Sequence, residues 1–172
     1  PALKQYSKGK CLDVGCGDMP YKEYIENLVD EYDTIDFEEH VPGIKYIGDI
    51  QNMWMINDNI YDTVVCFEVL EHVDDPLEFI TILKKMVRPG GYLFVSTLCI
   101  DGFDLKMLWN ESSQISPPHH INFHSIKGFE LLFSRAGLCE IQITTPGKLD
   151  VDIVKKPGRK KNKCLEYYVI LL

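Results

Sequence analysis

No apolar run in this 172-residue chain approaches the roughly 18–20 residues that a membrane-spanning helix requires. No Cys-x-x-Cys pair occurs, so the six cysteines (Cys11, Cys16, Cys66, Cys99, Cys139 and Cys164) match neither a zinc nor a dithiol motif. The opening segment, Pro1 to Lys10, is short and polar and lacks the build of a secretory leader. Positive charge is in deficit. Eighteen Lys and Arg against 26 Asp and Glu leave a formal net charge of −8, a poor balance for a nucleic-acid binder. Internal repeats are absent as well. These gaps exclude a membrane span and point to a cytoplasmic protein with reduced thiols.

What is present is 45% hydrophobic and 26% charged, which is ordinary for a globular fold. The length suits one domain over residues 1–172 with a sizeable buried core. One local charge run breaks the acidic average: Lys155, Lys156, Arg159, Lys160, Lys161 and Lys163. It reads as a solvated loop or as a patch that attracts an anionic substrate or partner.

Apolar runs alternate with amphipathic stretches, the signature of an α/β domain. Strands are expected at Lys10 to Val14, Tyr32 to Ile35, Ile44 to Ile47, Tyr61 to Phe67, Tyr92 to Thr97, Leu138 to Thr144 and Leu165 to Leu172. Tyr21 to Val29 has helical spacing. Asp75-Pro76 opens a helix whose apolar face is Leu77, Phe79, Ile80, Leu83, Met86 and Val87, and Arg88-Pro89-Gly90-Gly91 should stop it. Ser125 reads as the cap of a helix from Lys127 to Ala136, ended by Gly137. Phe37 to Gly43 is too short for a crossover helix, so a loop or single turn is expected there. Cys99 to Asn122 reads as irregular.

Chemistry concentrates at the predicted strand ends. Gly15 and Gly17, in Asp13-Val-Gly-Cys-Gly-Asp18, let the backbone turn sharply and approach a ligand closely. Pro20 replaces the third glycine of a dinucleotide fingerprint. Asp13 and Asp18 bracket the loop and would repel a pyrophosphate. Acid beside a glycine loop suits a ligand carrying positive charge, such as the ammonium and sulfonium of S-adenosylmethionine. Asp36 ends the second strand, 19 residues after Gly17, where a carboxylate reaches ribose hydroxyls in doubly wound folds. Asp49 and Glu68 follow the next two strands. Any one of them alone could be a turn former or helix cap. Four acids at four successive strand ends fit a ligand site better.

Three segments carry a family resemblance: Cys11-Leu-Asp-Val-Gly-Cys-Gly17, Tyr61-Asp-Thr-Val-Val-Cys-Phe-Glu-Val-Leu-Glu-His-Val73, and Leu83-Lys-Lys-Met-Val-Arg-Pro-Gly-Gly-Tyr-Leu-Phe-Val-Ser96. In this order, with Asp36 and Gly48-Asp49 between them, they resemble the class I S-adenosylmethionine-dependent methyltransferases. The nearest likeness is to the small-molecule group of the ubiquinone-biosynthesis type. The resemblance implies a Rossmann-like, doubly wound α/β fold: a mostly parallel seven-stranded sheet with helices on both faces. It implies S-adenosylmethionine as cofactor. Asp13, Gly15, Cys16 and Gly17 would hold its methionine moiety, Asp36 its ribose, and Phe37 would lie beside the adenosine. Asp49 and Ile50 would flank adenine, and Phe67 and Glu68 would line the methyl group. Two departures stand out. The helix after the second strand is nearly absent, which should leave the adenosine side open. The chain begins at Pro1, and the lid helices that often precede this point are expected to be missing.

Methyl transfer needs a base only where the acceptor must lose a proton. His72, His119 and His120 are the candidates, with His124 a further histidine of the same stretch. No metal ligands are expected: adjacent histidines on an extended segment diverge, and no acid stands at ligand spacing. Phe103, Leu108 and Trp109 wall an apolar acceptor pocket or simply pack the core. The expected function is methyl transfer to a small-molecule acceptor, with no oligomeric partner specified. The alternatives are a macromolecular acceptor and a non-catalytic binding module of the same fold. Phe67-Glu68-Val69-Leu70 stands where amino-methylating enzymes of DNA and glutamine carry Asn-Pro-Pro-Tyr. Failed cofactor binding would favour the non-catalytic module.

Overall fold

The computed structural model describes residues 2–144 and 167–171. The basic run Lys155 to Lys163 lies outside them. Strands β1 (Lys10–Val14), β2 (Glu31–Asp36), β3 (Tyr46–Ile47), β4 (Tyr61–Phe67), β5 (Val87–Thr97), β6 (Ile141–Thr144) and β7 (Tyr167–Leu171) form one sheet. Its order is β3-β2-β1-β4-β5-β7-β6. The first five strands are mutually parallel, whereas β7 runs antiparallel to both β5 and β6. The reversal between β1 and β4 makes their carboxyl ends the place where a doubly wound sheet takes its ligand.

The interior strands are apolar on both faces because both faces are covered. Leu12, Val14, Val64, Cys66, Leu93 and Val95 point to one side, toward α3 (Pro76–Met86) and α5 (Ile126–Arg135). Their alternates Cys11, Val65, Phe67 and Phe94 point to the other. There they meet α2 (Lys22–Glu26) through Ile25, and α1 (Ala2–Tyr6) through Ala2, Leu3 and Tyr6. The α/β sandwich expected from the sequence is therefore present.

Local rules explain most element ends. Asp75 caps α3 by accepting from the N–H groups of Leu77 and Glu78, with Pro76 in the tolerated first turn. Ser125 Oγ accepts from Gly128 N–H at the head of α5. The loop expected over Phe37 to Gly43 is there, but β3 is only two residues long. α2 stops at Glu26 rather than continuing to Val29.

Three elements depart from expectation. The polar start forms α1, and the Tyr6 ring lies tilted against Tyr92 with centroids 5.3 Å apart. The stretch read as irregular holds α4 (Phe103–Leu108) and a 3₁₀ turn over Trp109–Glu111. Strand β5 begins at Val87 with no intervening loop. Val87 pairs with Tyr61, and the ladder shifts register before resuming at Thr63 and Tyr92, so the Pro-Gly-Gly segment sits in a bulge. Gly91 is required there, because a side chain would collide with the carbonyl oxygen of Asp62.

The excursion after β5 leaves and returns at one place. Cys99 bridges His124, Ile100 N–H donates to the His124 carbonyl at 2.9 Å, and Ile126 N–H donates to Asp101 Oδ2 at 2.9 Å.

At the opposite end of the strands, Asp33 is 5% exposed. Both its oxygens accept from Lys45 Nζ at 2.8 Å, Oδ2 also accepts from the Tyr61 hydroxyl at 2.9 Å, and Lys10 Nζ lies 3.4 Å away. Burial alone would raise this carboxyl, yet the Lys45 and Tyr61 hydrogen bonds and the Lys10 charge hold it below the ordinary value. Asp33→Ala takes from Lys45 its carboxylate partner, leaves Lys10 with Glu31 alone, and removes one of the hydrogen-bond partners of the Tyr61 hydroxyl. We expect a loss of about 2 kcal/mol in urea denaturation, the scale of removing a buried acceptor from its hydrogen-bond donors. A loss below about 1 kcal/mol would show that water substitutes freely there.

Candidate functional site

The carboxyl ends of β1, β2 and β4 converge on the glycine loop. Gly15 has φ +71° and Gly17 has φ +50°, both in the left-handed region that favours glycine. At Gly15 a side chain would also run into Val69 Cγ2, whereas at Gly17 it would meet nothing within 4 Å. The first glycine is thus demanded by packing and the second faces open space. Gly15 N–H donates to the Ile35 carbonyl at 2.9 Å, which ties the loop to β2.

Asp36 organises this corner. Its Oδ2 accepts from Gly17 N–H at 2.7 Å and its Oδ1 from Phe37 N–H at 2.7 Å. A carboxylate has about four lone-pair sites, so capacity remains for ligand hydroxyls. Phe37 beside it is 73% exposed, and Trp54 is 81% exposed. No helix follows β2, in keeping with the open adenosine side expected from the sequence.

Asp13 is buried beneath the loop, where its Oδ2 accepts from the Tyr32 hydroxyl. Burial pushes its carboxyl up to about 6, against the Tyr32 hydrogen bond and with help from the Asp36 charge. Cys16 is buried beside it, and burial with the two carboxylates pushes its thiol up to about 12. Cys16 is therefore a packing group rather than a nucleophile at neutral pH.

The remaining expected residues divide. Asp49 Oδ1 accepts from Gln51 N–H at 2.8 Å, so this side chain caps its own turn, and Ile50 packs against the core. Phe67 is 7% exposed and meets Tyr21 edge-on at 5.1 Å, on the α2 face of the sheet. Glu68 adopts φ +57°, uncommon for a residue with a side chain. Its N–H donates to the Ser96 carbonyl at 2.9 Å, and its Oε1 accepts from the Ser96 hydroxyl at 2.6 Å. Those two bonds pin the turn after β4.

The structure also gathers residues that the sequence did not assign. Glu71 is 2% exposed, and its Oε2 accepts from the Thr97 hydroxyl at 2.9 Å. Its backbone carbonyl takes the N–H groups of Ile121 and Asn122 at 2.9 and 3.1 Å. Asn122 Nδ2 donates to the Val73 carbonyl at 2.5 Å. The loop before α5 is thereby fastened onto the turn after β4. His72 Nδ1 bonds the His119 carbonyl at 2.6 Å, and His120 Nδ1 bonds the Gln114 carbonyl at 2.7 Å. The two rings meet edge-on at 4.8 Å.

His119 and His120 close a turn, both N–H groups donating to the Ser116 carbonyl, and do not lie on the extended segment expected. His119 contributes its backbone, and the imidazole beside His72 is that of His120. The reading that no acid stands at ligand spacing is corrected here: Glu71, His72 and His120 bring three ligand atoms within 4.8 Å of one another. The acid lies next to His72 in sequence, and the second histidine arrives by tertiary folding. His124 stands apart, tilted 5.2 Å from Phe129, with burial lowering its pKa. Tyr32 was missed too, although register with Cys11 places it on the same face as Asp13.

Comparison with known proteins agrees with this geometry. Residues 2–142 match a family model described as a methyltransferase domain. The chain is 34% identical over 100 residues to a ubiquinone biosynthesis O-methyltransferase of Hydrogenovibrio crunogenus, covering 51% of this chain and 42% of that protein. It is 55% identical over 102 residues to the protein so named in Vibrio atlanticus, covering 52% and 43%. The chain thus spans less than half the length of these curated relatives. A SAM-dependent methyltransferase from Thermotoga maritima superposes with a TM-score of 0.70 at 16% identity, over 94% of this chain and 81% of that one, a likeness of fold. With the family model spanning four-fifths of its length, the chain belongs to the methyltransferase domain family.

Proposed function

We propose that this chain transfers a methyl group from S-adenosylmethionine to a small-molecule acceptor, within a single domain. The observation that carries this reading is the corner formed by Gly17 and Asp36. Open space lies over a left-handed glycine whose N–H is held at 2.7 Å by the carboxylate expected to take ribose hydroxyls. The residues present fit the cofactor. A side chain at Gly17 would fill the space its backbone leaves, and acid rather than base surrounds the loop.

When bound, the cofactor supplies a sulfonium-activated methyl group that leaves by in-line displacement. The residues of the chain orient it. Asp13 presents negative charge beneath the loop to a cationic methionine moiety. Asp36 fixes the ribose, Phe37 covers the open adenosine edge, and Asp49 with Ile50 lies along the adenine side. Phe67 and Glu68 bound the methyl group at the end of β4. His72 and His120, whose rings meet at 4.8 Å, are the candidates to take a proton from an acceptor. A small acceptor accords with the names of the curated relatives and with the net charge of −8. Cys11, Cys16, Cys66 and Cys99 are buried as free thiols, which supports a reducing, cytoplasmic setting.

Calorimetric titration with S-adenosylmethionine and S-adenosylhomocysteine tests the reading, run on both sides of pH about 6. Above that value Asp13 is ionised and affinity for the cationic cofactor should be full. As pH falls through it, Asp13 takes a proton, loses its charge and affinity should drop. The other titratable groups facing Asp13 are Tyr32, Asp36 and the thiols of Cys11, Cys16 and Cys66. The phenol and thiols are all held protonated by burial, so they add no charge change in this window. Asp13→Asn should flatten the profile. Folded protein that binds neither compound at either pH would refute the reading and favour a non-catalytic module.

A further inference from the structure

Strand register sets Tyr32 opposite Cys11 of β1, with Asp13 two residues, about 6.6 Å, farther along the same face. A tyrosine spans that step, and its hydroxyl donates to Asp13 Oδ2. We propose that Tyr32 is a positioning residue for the cofactor, whose hydroxyl keeps Asp13 beneath the glycine loop as an oriented anion. The proposal deepens the methyltransferase reading and rests on it for the identity of the ligand.

Two observations carry it. The first is the isolation of the carboxylate. Asp13 is 3% exposed, and no lysine or arginine among the described residues forms an ion pair with it. The neighbouring charge is that of Asp36, which has the same sign. A buried carboxylate without a cation gives up its charge unless hydrogen bonds hold it. Tyr32 donates such a bond.

The second is the build of Tyr32. Its ring packs against the cluster of Cys11, Ile25, Val65, Phe67 and Phe94 on the α2 face of the sheet. Packing holds the ring and so delivers the hydroxyl to one place. Phenylalanine would serve the packing equally well, which leaves the hydroxyl to be explained by Asp13. Burial and the Asp13 charge hold the phenol proton in place, so this group is a standing donor. By engaging Oδ2 it leaves Oδ1 to a cationic ligand group.

The other groups around Asp13 do not replace it. The thiols of Cys11 on β1, Cys16 in the loop and Cys66 on β4 stay protonated and are weak donors. Asp36 at the end of β2 adds negative charge, and Asp18 in the loop is exposed. On the α2 side, Tyr21 lies edge-on against Phe67, Glu23 and Glu26 are exposed, and Lys22 Nζ reaches Glu26 at 3.9 Å. Burial already pushes the Asp13 carboxyl up to about 6 with the Tyr32 bond in place. Loss of that bond raises it further, by about one to two pH units for a hydrogen bond to a charged group.

Carbon-13 NMR of the Asp13 carboxyl, identified by its disappearance in Asp13→Asn, tests this on the full chain without cofactor. The titration midpoint should lie at about 6 and rise by about one to two pH units in Tyr32→Phe. A thermal melt checks that the variant folds. Tyr24→Phe, an exposed tyrosine of α2, should leave the midpoint in place. Calorimetry with S-adenosylmethionine reads the consequence: binding about two- to tenfold weaker in Tyr32→Phe at about pH 7, and nearly equal to the unaltered protein at about pH 8.5, where both carry the charge. A purely structural defect would not be repaired by raising the pH. An unmoved midpoint in folded Tyr32→Phe, or a loss of affinity of the same size at both pH values, overturns the proposal. A raised midpoint in protein that binds no cofactor at either pH upholds the hold of Tyr32 on Asp13 and removes the methyltransferase reading instead.

Discussion

Replacing Asp36 with alanine is expected to weaken S-adenosylmethionine binding by about 100- to 1,000-fold, the scale of losing two charge-assisted hydrogen bonds. The carboxylate has two duties. It accepts from the N–H groups of Gly17 and Phe37, both at 2.7 Å, and so holds the glycine loop against the end of β2. On the proposed reading, its remaining lone pairs accept from ribose hydroxyls. Alanine removes both, leaving two loop donors to find water. Asparagine should fall between, since one amide oxygen cannot serve Gly17 and Phe37 as two carboxylate oxygens do. The sheet should survive either change, because Asp36 is its last residue on β2 and lies at the solvent edge. Calorimetry beside a thermal melt checks this. Unaltered affinity in Asp36→Ala would place the cofactor elsewhere.

Gly15→Ala is expected to cost about 2–4 kcal/mol of stability, combining a left-handed backbone penalty with local overpacking. The residue has φ +71°, and its new methyl would press on Val69 Cγ2. Val69 is β-branched and buried, so it has little freedom to turn away. A double-mutant cycle with Val69→Ala separates the two terms. The pair should recover the steric part and leave the backbone part. If Val69→Ala returns nothing, the clash is not the source. Gly17→Ala makes a useful contrast. With nothing within 4 Å, it should carry the backbone penalty alone, while blocking the ligand more than it disturbs the fold.

The sequence was most legible where one local rule acts without competition. Strands β1 and β4 are interior and covered on both faces, so apolar residues fall on both alternations, as at Cys11 and Leu12 and from Val64 to Phe67. Asp75-Pro76 caps α3 by a rule that needs no tertiary partner. Reading failed where tertiary pairing overrode a local signal. Arg88-Pro89-Gly90-Gly91 looks like a full stop, yet a bulge opposite Tyr61 and Thr63 absorbs it and the strand begins at Val87. Residues 2–6 are too few to show a period, and α1 exists because Leu3 and Tyr6 have a sheet face to cover. The site divides in the same way. Asp13, Gly15, Gly17 and Asp36 announce themselves by position at strand ends. Glu71 and His120 are 49 positions apart, and no pattern along the chain foretells that the Asn122 and Ile121 bonds bring them together.

The excursion from Cys99 to His124 starts and finishes at one bridge. A loop pinned at both ends can change length cheaply, because each doubling adds only about 0.6 kcal/mol of closure entropy. Residues between Asp101 and Gln114 can therefore be lengthened, shortened or exchanged while the pins at Cys99, Glu71 and Asp101 keep the sheet and its ligand corner in register. The excursion is built as a replaceable cassette on a fixed frame, free to vary while the segment from Lys10 to Thr97 holds its register.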